Sequence, residues 1–239
     1  MPRSPAKLGD VVQSVFGRAG QVLSTEDVAA SLIELQLRVT PPPGGWQPGH
    51  EVQFRVSPTL GRRYNVRTVS APSSDGHPAD LVRLLVATRA AGPGTEWVRQ
   101  LRVGADITVI AGRHKPLRHQ GTRCLYLGDT STIATIDAYA TARRQSTVFL
   151  EVEPHAVSVL ADRWPCYQFL PAGSKPGEAL QDWLEHAIAT KKLPDIDCAV
   201  LLGHAQSIQR QRSALIESQV LDRRSITTRP YWADGKAGL

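Results

Sequence analysis

GRRYNVRTVS, residues 61–70, sets Tyr64 among the guanidinium groups of Arg62, Arg63 and Arg67 and follows it with the small amide of Asn65. The segment alternates as a strand does, with Val66 and Val69 as its apolar members. A solvated edge strand accounts for the charge alone. A ligand that is both flat and anionic accounts for the charge and the aromatic ring together. Alternation places Arg67 on the face of Arg63 and Asn65, and Arg63 reads as a solvent-facing charge.

Outward from this segment, period two governs the chain up to about residue 120. In SLIELQLRV, residues 31–39, Leu35, Leu37 and Val39 alternate with Glu34, Gln36 and Arg38; in EVQFRV, Val52, Phe54 and Val56 alternate with Gln53 and Arg55. Further strands are expected at 63–70, 81–88 and 106–110, parted by the turn signals PPPGGWQPG and SAPSSDGHP. Short strands with regular turns indicate an antiparallel barrel or sandwich. After residue 122 the rhythm changes. RCLYL, a helix from Thr130 and STVFLEV form a strand–helix–strand unit. GEALQDWLEHAIATKK carries Leu180, Trp183, Leu184, Ala187 and Ile188 on one helical stripe. CAVLL, the helix SIQRQRSALIES and a last strand near Ile226 complete an alternation that implies a parallel sheet of about five strands covered on both faces. A domain boundary is therefore expected near residue 120, giving domains 1–120 and 121–239.

With 239 residues, 41% hydrophobic and 21% charged, the chain has an ordinary globular balance. No apolar run reaches the roughly 18 residues of a membrane helix, and the opening MPRSPAKLGD lacks the apolar core of a signal peptide, so no membrane partner and a cytoplasmic location are expected. Cys124, Cys166 and Cys198 stand alone within apolar runs and are expected to be buried. The net charge of +6 favours anionic partners. Its basic residues are dispersed and its aromatics few, which argues against nucleic acid. His114 and His119, in GRHKPLRHQ, have no metal-ligand spacing, and no metal site is expected.

A second candidate anion loop, AAGPGTEWVRQL, begins at residue 90. Gly92 and Gly94 allow close backbone approach to an anion, Thr95 is placed to cap the helix that follows, and that helix start offers N–H groups and a positive dipole end. GDTST, from Gly128, follows a strand at a point where open α/β sheets bind ligands. Two readings of it stay open: amides and hydroxyls for a ligand, or a simple helix cap at Thr130 to Thr132.

With these segments in hand, the chain resembles the siderophore-interacting proteins, a branch of the ferredoxin-reductase-like flavoproteins. Arg62-Arg63-Tyr64-Asn65-Val66-Arg67 is similar to their R-x-Y-T-x-R flavin motif. Gly92, Pro93, Thr95 and Trp97 match their G-P-x-[ST]-x-W loop, Gly128-Asp129-Thr130 resembles the G-D-E-T opening of their second domain, and Tyr231-Trp232 with Gly235 resembles their terminal Y-W-x-x-G. The matches run in order across nearly the whole chain. The departures are Asn65 for the usual threonine, Thr130 for an acidic residue and Gly203-His204-Ala205 for Gly-Glu-Ala or Gly-Glu-Ser; they bear on the electron donor more than on the fold.

The resemblance implies a six-stranded antiparallel β-barrel holding FAD, then an α/β nicotinamide-binding-like domain. It implies an FAD-dependent ferric-siderophore reductase supplied by NADH, NADPH or a ferredoxin-like protein. Another acceptor, or a redox-inactive anion-binding module on the same scaffold, is the alternative. Arg62 would pair with the FAD pyrophosphate, Tyr64 would pack on the flavin ring, Asn65 would face its N5 edge, and Gly92, Gly94 and Thr95 would complete the phosphate cradle. Val66 and Arg67 fall in the same cofactor motif, and Asp129 and Thr130 in the second domain's cofactor loop. An anionic ferric siderophore is expected to meet a basic cleft formed by some of Lys115, Arg118, Arg223, Arg224, Arg229 and Lys236. A helix of about fourteen residues from GDTST puts Arg143 and Arg144 roughly 20 Å away. They therefore suit the helix C-terminus rather than a 2′-phosphate, and slow reduction by both nicotinamides is expected.

Overall fold

Alternating apolar residues in the first half of the chain build a sheet that closes on itself. Its strands are β1 (Gly17–Ala29), β2 (Leu32–Val39), β3 (Glu51–Arg55), β4 (Gly61–Val69), β5 (Leu81–Ala87) and β6 (Asp106–Ala111). They form a closed barrel in the order β1-β2-β5-β4-β3-β6, every neighbouring pair antiparallel. The computed structural model describes residues 16–70, 80–89, 91–111, 116–117, 121–141 and 145–236. The chain divides into two compact units, Met1–Pro116 and Leu117–Leu239.

The barrel core is the inward set that alternation selects: Val22, Leu35, Leu37, Val52, Phe54, Val66, Leu84 and Val109. β1 is not apparent from alternation. Two register shifts, between Val22 and Ser24 and between Asp27 and Ala29, break its period, and the polar Ser24-Thr25-Glu26-Asp27 run crosses it. Helix α1 (Pro93–Gln100) packs Val98 and Trp97 against the barrel core.

The second unit has strands β7 (Arg123–Asp129), β8 (Gln145–Val152), β9 (Gln168–Pro171), β10 (Cys198–His204) and β11 (Ile226–Trp232). They make one parallel sheet in the order β11-β10-β7-β8-β9. The direction of winding reverses between β7 and β10, which makes the C-terminal ends of those two strands the switch point. Helices α4 (Glu178–Ala189) and α5 (Ala205–Glu217) bury Leu180, Leu184, Ile208 and Leu215 against Leu125, Leu127, Ala199 and Leu201. Cys124, Tyr126 and Val200 alternate to the opposite face, where α2 (Ile133–Ala140) lies against β7 and β8.

The helix expected from Thr130 begins as a 3-10 turn, Thr130–Thr132, before α2; Arg143 and Arg144 lie outside the described residues. The short helix α3 (Val157–Arg163) and β9 carry too few residues to show a period. Cys124 and Cys198 are buried as expected, but Cys166 is exposed in the turn before β9. Among the described residues, no helix is long and apolar enough to cross a membrane.

Glu151, near the end of β8, is 5% exposed and receives three backbone N–H groups at the start of α4: Gly177 at 2.7 Å, Ala179 at 2.9 Å and Leu180 at 3.3 Å. One carboxylate thus replaces the missing intrahelical acceptors of a whole helix start. Glu151→Ala leaves these donors without it and is expected to lower the stability of the α/β unit by about 2–3 kcal/mol. Urea unfolding followed by fluorescence measures the loss, and an unchanged midpoint would remove Glu151 from this role.

Candidate functional site

On β4, Arg62 and Tyr64 point to one side, opposite Phe54 and Val52 of β3. Tyr64 leans on Phe54 with ring centroids 6.0 Å apart, and Phe54 leans on Trp97 of α1 at 4.8 Å. The start of α1 presses into the same place. A Cβ on Gly94 would lie 2.8 Å from the Tyr64 hydroxyl oxygen and 3.2 Å from Arg62 Cγ. Only a residue without a side chain allows this approach. The arginine–tyrosine strand and the glycine loop, separate in sequence, therefore meet at one place.

No side chain caps α1; Gly92 is its N-cap and Pro93 follows. The expected cap at Thr95 is not formed, because Thr95 sits inside the first turn. Pro93 has no N–H, and the Glu96 N–H closes the turn onto Gly92 O at 3.0 Å. Gly94 and Thr95 belong to the turn whose amides point out of the helix. Burial pushes the Tyr64 phenol up to about 12, with the Arg62 guanidinium opposing the shift. Tyr64 is thus a neutral hydroxyl beside a fixed positive charge at any physiological pH.

The rest of the motif supports this site from behind. Asn65 donates its side-chain N–H to Gly49 O at 3.2 Å. Val66 was expected to touch a cofactor, yet its side chain is fully buried in the barrel core. Its N–H is given to His50 O at 2.8 Å, and its carbonyl accepts Gly49 N–H at 2.7 Å. Arg67 keeps the outward face of Arg63 and Asn65 that alternation gives it. A β-bulge between Val66 and Thr68 leaves it without a partner in the ladder, and its guanidinium meets the Glu34 carboxylate at 2.5 Å, the two side chains 14% and 8% exposed. Arg63 is a surface charge as expected, 3.5 Å from Glu51.

In the α/β unit, the switch point is lined with carboxylates held by the chain itself. Asp129 caps the turn after β7. Its Oδ1 accepts the Ser131 N–H at 2.9 Å and hydroxyl at 2.5 Å, and its Oδ2 accepts the Trp232 indole N–H at 2.8 Å. The His204 backbone N–H adds a further donor. Burial pushes the carboxyls of Asp129 and Glu151 up from their ordinary values, and their N–H donors oppose the shift. Gly203 has φ +104, and a Cβ there would fall 2.3 Å from Asp129 Oδ2. Thr130 donates its hydroxyl to Glu153 at 3.0 Å. Of the two readings of GDTST, the cap is realised, by Asp129 rather than by a threonine, and the hydroxyl of Thr130 is committed internally.

Among the described residues, the basic side chains expected at an acceptor cleft are spread along β11 and its flanks. Lys115 and Arg118 lie outside the described residues. Arg223 and Arg224 are exposed at the entry to β11, Arg229 is half-buried in mid-strand and Lys236 is exposed beyond its end. A strand of seven residues spans about 20 Å, so Arg223 and Arg224 do not share one cleft with Lys236. Glu34 and Glu151 escape a motif search. Their only signal is an acidic residue inside an apolar strand, in SLIELQL and STVFLEV.

A closed antiparallel barrel followed by a five-stranded parallel sheet is the ferredoxin-reductase-like fold. Solved structures with this fold include siderophore-interacting proteins that match from end to end. That of Acinetobacter baumannii superposes with a TM-score of 0.71 at 16% identity over 92% of each chain. That of Aeromonas hydrophila gives 0.68 at 17% identity, again over 92% of each. A ferredoxin NADP+ reductase from Neisseria gonorrhoeae with bound FAD and NADP gives 0.64 at 13% identity, over 90% of this chain and 98% of that one. No family model and no curated protein matches the sequence.

Two outcomes follow from the packing around Tyr64. Gly94→Ala drives a methyl group into the tyrosine hydroxyl and is expected to destabilise the barrel by about 1–2 kcal/mol; a denaturation midpoint equal to the parent's would contradict the close approach. A phenol raised to about 12 in the folded chain contributes stability that is complete below its unfolded value near 10 and is lost as pH rises through 12. Tyr64→Phe should therefore weaken the fall in stability over that alkaline window, as measured by urea titrations at successive pH values.

Proposed function

We propose that the chain is an FAD-dependent reductase that delivers electrons to Fe(III) held in an anionic siderophore. The observation that carries this reading is the meeting of Arg62, Tyr64 and Gly94 at a helix start with no capping side chain. Such a place suits a ligand that is flat at one end and doubly charged at the other. The residues fit FAD: the Arg62 fork matches a pyrophosphate, the first-turn amides of α1 receive its oxygens, and Tyr64 offers a neutral ring face. When bound, FAD supplies the conversion of a two-electron donor into single electrons for Fe(III). The protein's part is to hold and shield that group, and Fe(II), once formed, leaves an oxygen-rich chelator more readily.

The donor is a nicotinamide or a ferredoxin-like protein. Asp129, Glu151 and Glu153 stand where a dinucleotide's phosphates would approach the α/β sheet, which favours slow reduction by both nicotinamides. The same carboxylates favour a second reading, an anion-binding barrel whose α/β unit has lost redox function.

Absorbance of the purified chain, followed by anaerobic addition of donors and ferric chelates, tests the proposal. A flavin spectrum that bleaches with a donor and recovers with a ferric siderophore supports it; a protein that cannot be loaded with FAD sinks it. Arg62→Ala removes a charge-assisted contact of about 1.5–3 kcal/mol, so FAD affinity is expected to fall by about tenfold or more with the fold intact.

A further inference from the structure

At the end of β10 the chain buries a histidine whose two ring nitrogens have unlike surroundings. His204 is 4% exposed. Its Nδ1 lies 2.8 Å from Ser207 Oγ, and Ser207 donates its single hydroxyl hydrogen to the Pro176 carbonyl at 2.7 Å. Ser207 Oγ therefore meets the ring as an acceptor, and Nδ1 carries a hydrogen. That leaves Nε2 as either a bare lone pair or a second N–H. It is buried without a hydrogen-bond partner among the described residues, and the Asp234 carboxylate stands 3.3 Å away. A lone pair facing a carboxylate is repelled; an N–H of an imidazolium is attracted.

Asp234 lies two residues past the end of β11, and the last residue of that strand, Trp232, is paired with His204 and tied to the switch point. The Trp232 ring lies over the His204 ring, centroids 4.4 Å apart at 34°, and its indole N–H is donated to Asp129. The Asp234 side chain is itself 65% exposed, and among the described residues its ion-pair partner is His204.

We infer that His204 is a proton-operated latch. Protonation at Nε2 fastens the segment Trp232–Asp234 across the C-terminal ends of β7 and β10, and loss of that proton loosens it. The charges around the ring set the direction. From the end of β7, Asp129 accepts the His204 backbone N–H. From β8, Glu151 adds negative charge beside Asp129, and from the C-terminal segment Asp234 faces Nε2 directly. From α5, Arg210 opposes them; it is exposed and reaches Ser207 Oγ at 3.3 Å. Docking of the segment and uptake of the proton therefore favour each other. The inference concerns the α/β unit alone and stands whether or not the barrel holds a flavin.

Hydrogen exchange at the Trp232 indole N–H, followed by NMR and corrected for intrinsic rates, reads the latch without any assay of activity. From about pH 5.5 to about pH 8, protection is expected to fall about three- to tenfold. Asp234→Asn should abolish that fall while leaving the far-ultraviolet circular dichroism unchanged. His204→Phe, which keeps a ring against Trp232 and binds no proton, should also give a flat profile. Protection in the parent that is flat or rises with pH, or a fall that survives Asp234→Asn, would overturn the latch.

Discussion

An α-helix begins with backbone N–H groups that have no partner of their own, and how this chain meets that constraint sets the character of both units. In the α/β unit the answer is internal. Asp129 closes the turn that leads into α2, and Glu151 closes α4. Each carboxylate comes from the end of a strand, so the helix starts are fastened to the sheet that they cover. In the barrel unit no side chain of the described residues caps the helix start. α1 opens with Gly92 and Pro93, and Arg62 and Tyr64 lie against Gly94. The α/β unit has spent two helix starts on its own carboxylates, while α5, opening at His204, has no side-chain cap, as α1 has none.

This division explains why electrostatics cannot be read from net charge alone. The chain carries +6, yet Arg67 is neutralised in place by Glu34 and Arg63 by Glu51. Of the three arginines grouped in GRRYNVRTVS, Arg62 alone stands beside the helix start. A buried pair such as Arg67 with Glu34 adds little to stability relative to an apolar pair. It does hold the Arg67 side chain in one place, immediately after the strand residues that form the site.

Much of this was legible in the sequence where side chains alternate regularly. β2, β3 and β5 follow from period two, and the buried runs RCLYL and CAVLL give β7 and β10. The loop and strand that meet at Gly94 were recognisable because glycine and arginine serve few purposes together. What escaped was set by partners distant in the chain. β1 loses its period at two irregularities fixed by pairing with β2. Val66 reads as part of a ligand motif but is claimed by the barrel core. The exposure of Cys166 depends on a turn whose position only the fold defines, and the carboxylate caps join residues from separate strands and helices.

The bulge at Arg67 reverses the phase of β4. Before it, the even-numbered Arg62, Tyr64 and Val66 share one face; after it, Val69 takes the inward place opposite Val82. A single extra residue thus lets one strand serve two programmes. Its first half is aligned to α1 and its second half to the barrel wall, with Arg67 as the joint. Substitutions in the first half can retune what the site accepts without shifting the register of the second. Deleting Arg67 would leave both halves facing as they do, because Val66, Thr68 and Val69 already hold consecutive partners on β5, and would cost the strand only its tie to Glu34.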